Sequence, residues 1–190
     1  MDPLPPALAD ALRARTWARL VRAAILHGEF VLSSGRRSSY YIDKYLFETQ
    51  PDLLRDIARL IAHSLPSETT RLAGPALGGI PLATAVALET GLPFVIVRPE
   101  PKDHGTARLI EGRIEPHDRV VVLEDVVTTG AQAVRAARKV EEAGARVLAI
   151  LAVVDRHEGG RAGIEAAGYR LTALYDLSEW PVASGVRPAR

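Results

Sequence analysis

The chain has 190 residues, 47% of them hydrophobic and 25% charged, with a mean hydropathy of +0.04 and a formal net charge of +1. A chain of this length buries roughly 70% of its extended surface on folding, which predicts one domain over residues 1–190. The balanced charge speaks against a general nucleic-acid field, the lack of cysteine excludes disulfides and thiolate chemistry, and no apolar run is long enough to span a membrane.

The opening Met1-Asp-Pro-Leu-Pro-Pro does not read as a signal peptide, so a cytoplasmic protein is expected. Leu8, Leu12, Trp17, Leu20, Val21, Ala24 and Ile25 recur at helical spacing and predict an amphipathic helix over 7–27. Phe30–Gly35 and Ser39–Lys44 read as two short strands around Gly35-Arg36-Arg37. Pro51 starts a second helix, with Leu53, Leu54, Ile57, Leu60 and Ile61 on one face. From residue 71 the pattern alternates: strand 71–74, helix 80–90, strand 93–98, a polar segment 99–112, strand 119–125, helix 131–143 closed by Gly144, strand 146–154, a short helix at 161–167 and a last strand at 170–175. Strands separated by helices predict an α/β fold with a mostly parallel central sheet covered on both faces. The segment 99–112 holds Pro99, Pro101, Gly105 and Gly112 without apolar periodicity and reads as a lid or a disordered loop.

The chemistry concentrates in Val120-Val-Val-Leu-Glu-Asp-Val-Val-Thr-Thr-Gly-Ala-Gln132. An apolar strand delivers Glu124 and Asp125 to the carboxyl end of a sheet, where open α/β folds bind ligands. Thr128-Thr129-Gly130 then opens a helix, whose N–H groups make an anion site. Acids for ribose hydroxyls beside amides for a phosphate point to a phosphorylated ribose. Of 24 basic residues only Lys44, Lys102 and Lys139 are lysines, so arginine is the ordinary surface cation and a lysine kept in a loop is the one to look at again. The histidines show no metal-ligand spacing.

Residues 120–132 resemble the phosphoribosyl pyrophosphate (PRPP) motif of type I phosphoribosyltransferases. The string Lys102-Asp103-His104-Gly105 with Glu111-Gly112, the segment Phe30–Asp43, and Val153-Val-Asp-Arg-His-Glu-Gly159 are similar to the orotate branch of that family. The resemblance implies the type I fold with a small N-terminal hood, drawn from about 1–45 and the C-terminal segment. It further implies transfer of the 5-phosphoribosyl group from PRPP to N1 of orotate, giving orotidine 5′-monophosphate (OMP) and pyrophosphate in the synthesis of UMP. Glu124 and Asp125 would hold the ribose hydroxyls, Thr128, Thr129, Gly130, Ala131 and Gln132 would form the phosphate loop, and Val126 and Val127 would also meet PRPP. Gly78 and Gly79 would lie in a pyrophosphate loop, with Arg98, Lys102 and His104 meeting the leaving group. Thr128, Arg156, Tyr40 and Tyr41 would receive orotate, Arg156 through its carboxylate. Mg²⁺ is expected, held mainly by PRPP and pyrophosphate with no direct protein ligand. A homodimer is implied, the loop 98–112 of one subunit completing its partner's site, with no nucleic acid or membrane as partner.

Three positions depart from the pattern. Ser33, Gly78 and Pro99 stand where many members carry a basic residue, leaving Arg98, Lys102, His104 and Mg²⁺ to face the pyrophosphate. Two alternatives stay open on the residues alone: a different base in the same fold, and a PRPP-sensing protein without turnover.

Overall fold

The computed structural model of the protein describes residues 5–31, 35, 37–100 and 108–180. Helix α1 (Pro6–Ala24) buries Leu12, Trp17, Leu20 and Val21. The sequence pattern carries this helix to residue 27, but it stops three residues earlier because Ile25 begins β1 (Ile25–Val31). β1 pairs antiparallel with β2 (Arg37–Ile42), with Ile25 opposite Ile42 and Val31 opposite Arg37. Burying that β-branched pair outweighs one more helical turn, for which isoleucine has only middling propensity. A single turn, α2 (Tyr45–Glu48), follows, and its Phe47 and Glu48 are buried. Four residues are too few to show a periodicity in the sequence. Helix α3 (Pro51–Ser64) sinks Leu53, Ile57, Leu60 and Ile61 into the core, each side chain worth ~1.5–3 kcal/mol of burial.

The main sheet contains β3 (Arg71–Pro75), β4 (Phe94–Val97), β5 (Ile110–Glu111), β6 (Arg119–Val127), β7 (Arg146–Asp155) and β8 (Leu171–Asp176), in the order β5-β4-β3-β6-β7-β8. All pairings are parallel except β4 with β5. The two-residue β5 lies in the segment that the sequence reads as loop; it pairs with Ile96 and Val97 and closes one edge. Helices α4 (Gly79–Thr90), α5 (Ala131–Glu142) and α6 (Gly160–Ala166) provide the crossovers.

Side chains along β6 alternate between two cores, as the period-2 geometry of a strand demands. Val121 and Leu123 join Leu20, Ile57, Leu82 and Tyr175, while Val120 and Val122 join Ala133, Ala137, Val140 and Ile164. Burial on both faces explains the unbroken apolar run. After β3 the chain winds outward to β4 and β5, then returns to place β6 on β3's other side. Strand order therefore reverses between β3 and β6, the point where a doubly wound sheet opens a crevice at its carboxyl ends.

Candidate active site

At the carboxyl end of β6, Glu124 and Asp125 are 4% and 1% exposed, too dry to be solvated strand-end acids. Asp125 Oδ1 accepts from the Val126 N–H at 2.5 Å. Its Oδ2 lies 2.8 Å from Lys44 Nζ, an ion pair whose approach is short without being aligned as a hydrogen bond. Burial disfavours the Lys44 ammonium, but the charge of Asp125 outweighs it and leaves the pKa above its ordinary value. Glu48 reaches the same cluster from α2 and is 3% exposed. Burial first, then the charge of Asp125, pushes the Glu48 carboxyl up to about 8. The same two causes hold Glu124 well above the usual carboxylate range. Three carboxyl groups around one ammonium cannot all ionise readily in so dry a place, so Glu48 and Glu124 keep their protons to higher pH than ordinary carboxyls do.

Beyond the two acids the chain turns into α5. Gly130 sits at φ +74°, and a Cβ there would meet Ile164 Cγ1 at 2.7 Å and the Gly160 carbonyl at 2.8 Å. Both the backbone conformation and the packing of α6 require glycine at that turn. Gly130 brings no side chain to cap α5, the Ala131 N–H reaches Thr129 Oγ1 only at 3.5 Å, and the first residues of the helix line a cavity where an anion could meet them. A cavity of about 440 Å³ is lined by Glu124 through Ala133 together with Tyr41, Lys44, Arg156 and Glu158.

Arg156 enters that cavity from the end of β7, its N–H bonded to the Val127 carbonyl at 2.9 Å. Its side chain is 5% exposed and lies 3.0 Å from Glu158 Oε1, while its Nε has no hydrogen-bond partner. The two tyrosines separate. Adjacent residues on a strand point to opposite faces, so Tyr41 lines the cavity and stacks on Phe30 at 5.7 Å, whereas Tyr40 lies under the Arg156 guanidinium at 5.2 Å.

Gly78 and Gly79 lie at the start of α4 and off the cavity wall, Gly78 against Asp125 and Gly79 against Pro75 and the Leu123 carbonyl. A Cβ on Gly78 would fall 1.6 Å from Asp125 Oδ2 and 3.0 Å from Lys44 Nζ. A cation, Lys44, therefore stands beside one of the positions where the family resemblance leads one to expect a basic residue. Arg98 borders a smaller pocket with Ala76, Arg135 and Lys139, and Gln132 lines both hollows. Lys139, on α5, donates to the Arg98 and Pro99 carbonyls at 2.8 and 2.7 Å and ties down the root of the segment 99–112. Lys102, His104 and Ser33 lie outside the described residues.

Lys44 and Glu48 are the site residues that the motifs miss. For Lys44 a signal exists, since the chain otherwise uses arginine for its cations; for Glu48 there is none, because only tertiary packing brings α2 against β6. Among the described residues, no group of three or more His, Asp or Glu is arranged to hold a metal ion, and no helix is long and apolar enough to cross a membrane.

A family model for the phosphoribosyl transferase domain matches residues 47–166. The chain is 48% identical over 172 residues to the orotate phosphoribosyltransferase of Halobacterium salinarum, covering 90% of this chain and 94% of that one. It is 47% identical over 165 residues to the enzyme of that name from Pyrococcus abyssi, covering 85% and 91%. Among solved structures, Mycobacterium tuberculosis orotate phosphoribosyltransferase in complex with Fe(III) dicitrate superposes with a TM-score of 0.80 at 34% identity, covering 90% of this chain and 99% of that chain. The same mycobacterial enzyme in complex with PRPP gives a TM-score of 0.74 at 31% identity, covering 88% and 98%. By sequence, by fold and by the placement of the two acids at the strand switch, the chain belongs to the phosphoribosyl transferase family, in its orotate phosphoribosyltransferase branch.

Proposed function

We propose that the protein transfers the 5-phosphoribosyl group of PRPP to N1 of orotate, yielding OMP and pyrophosphate, as a cytoplasmic enzyme of UMP synthesis. The observation that carries this reading is one cavity combining the buried acids Glu124 and Asp125, the N-terminus of α5 and a buried arginine. A ribose diol, a phosphate and a carboxylate are what those three elements bind.

In this reading Asp125, fixed by the Val126 N–H and Lys44, accepts from one ribose hydroxyl, and the Glu124 carboxyl hydrogen-bonds the neighbouring one. The N–H groups and hydroxyls of residues 128–132 hold the 5′-phosphate. Arg156 meets the orotate carboxylate with its fork of donors, Thr128 and Tyr41 flank the ring, and Tyr40 supports the arginine from below. Orotate N1 attacks C1 of the ribose as the bond to pyrophosphate breaks, and positive charge develops on the ribose between the two acids. Arg98, with Lys102 and His104 by resemblance, faces the departing pyrophosphate. The donor set fits a metal that arrives on the substrate, since Mg²⁺ prefers phosphate oxygens and few protein carboxylates. Bound in that way, Mg²⁺ supplies charge neutralisation at the leaving group.

The test is spectrophotometric consumption of orotate with PRPP and Mg²⁺, run beside adenine, uracil and hypoxanthine. Turnover with orotate alone is expected. Turnover of another base refutes the acceptor, and PRPP binding without pyrophosphate release turns the reading toward a sensor. A homodimer with exchanged loops belongs to the same proposal. Mixing Lys102→Ala with Arg156→Ala chains should regain activity that neither has alone, and no regain would place all the loop's contacts within one chain.

A further inference from the structure

The guanidinium of Arg156 is not free to receive a ligand. Glu158 Oε1 stands 3.0 Å from its Nη2, the ring of Tyr40 covers one face, and the side chain is only 5% exposed. A bidentate grip on a carboxylate uses two adjacent nitrogens of the fork, either Nε with Nη2 or Nη1 with Nη2. Glu158 sits on the nitrogen common to both. Nε, meanwhile, is buried without a partner, an expensive state for a charged donor unless a second acceptor arrives.

Glu158 and Arg156 line the same cavity, yet their backbones are held differently. Arg156 is tied to β6 through its N–H, and His157 donates its N–H to Asp155 Oδ1 at 3.0 Å. Glu158 follows on a turn between His157 at φ +58° and Gly159 at φ +95°. With the backbone anchored by β7 before it and α6 after it, the movement available to the carboxylate is rotation of its own side chain into the open cavity.

We propose that Glu158 is a specificity-determining residue: its carboxylate holds Arg156 while the base site is empty and is displaced by the carboxylate of the incoming base. It thereby lowers the affinity for carboxylated bases and leaves the affinity for uncharged ones unchanged. The pair keeps a buried cation from standing alone. Its cost falls on the ligand that needs Arg156, because apparent affinity scales with the fraction of sites in the competent state. This inference rests on the assignment of Arg156 to the orotate carboxylate.

The experiment compares wild type with Glu158→Gln, which keeps the shape and removes the charge. If Glu158 occupies Arg156 in about nine sites of ten, the KM for orotate should fall roughly tenfold, with the KM for PRPP unchanged. Inhibition by uracil, the same ring without the carboxylate, should not move. An orotate KM that is unchanged or higher overturns the proposal, as does equal tightening of orotate and uracil. A merely structural role would raise the KM, so the sign separates the two. Glu158→Ser provides the same reading if the glutamine variant fails to fold. Failure of the functional assignment looks different: wild type itself would make no OMP.

Discussion

Glu48→Gln isolates what the buried acid cluster costs the fold. An unfolded glutamate titrates near ~4.3, whereas burial and the neighbouring Asp125 push Glu48 up to about 8. The folded chain therefore holds this proton more tightly than the unfolded chain. Stability from the group is complete below the lower value and drains away as pH climbs through 8. At ~1.4 kcal/mol per pH unit of separation, the limit is about 5 kcal/mol. Protons shared with Glu124 and Asp125 reduce what a single substitution releases to roughly 2–3 kcal/mol. Glutamine cannot ionise and keeps a hydrogen-bond donor where the protonated acid had one. Guanidinium denaturation at pH 6, 7.5 and 9 should find the two proteins within about 1 kcal/mol at pH 6 and the variant more stable by roughly 2–3 kcal/mol at pH 9. Parallel stability curves over that range would refute the burial of an ionisable Glu48 against Asp125.

Three further substitutions separate the site from its scaffold. Gly78→Ala places a methyl 1.6 Å from Asp125 Oδ2, so the carboxylate must swing off Lys44 and the Val126 N–H; kcat/KM for PRPP should fall ~10²-fold, and unaltered steady-state kinetics would contradict the close approach. Lys44→Met leaves Asp125 buried without its cation and should raise the KM for PRPP at least ~10-fold while costing roughly 2–4 kcal/mol in thermal unfolding, where no loss of either kind would mean that the ion pair is idle. Asp118→Asn is the control away from the site. Asp118 accepts from Thr70 Oγ1, Arg71 Nε and the Glu115 N–H at 3.0, 2.6 and 2.8 Å. Burial opposes its ionisation, but the Arg71 hydrogen bond and its other donors win and lower its pKa. Its contribution is thus full above ~4 and lost as pH falls through the lower folded value, so the variant should lose ~2 kcal/mol at pH 7 with kinetics intact; a changed KM would mean that the sheet's far end reaches the site.

The alternation of strands and helices from residue 71 onward was legible because each element is long enough to carry its own period. Its boundaries shifted where pairing decided them: β6 runs two residues past Asp125 because Val126 and Val127 pair with Val154 and Asp155 on β7. The opening helix lost its last turn to the β1–β2 hairpin for the same reason. The acids and the Thr128-Thr129-Gly130 turn were visible as local strings, since a strand end or a helix start is a local event, whereas Arg156 stood out only through the family resemblance of residues 153–159. Tyr40 and Tyr41 appeared as a pair in the sequence and parted in the structure, because neighbours on a strand face opposite ways.

What the sequence determined by itself is the donor chemistry: Glu124 and Asp125 at a strand end, followed by the turn of Thr128, Thr129 and Gly130 into a helix. Those features depend on residues within a few positions of one another. Only the tertiary structure decided the charge balance around them. Lys44 and Glu48 come from about 80 residues away on a single helical turn, and Gly78 comes from the neighbouring strand's loop. Such contacts have no period and no spacing to read. They exist because the sheet reverses its winding between β3 and β6 and the hairpin with α2 packs over that opening.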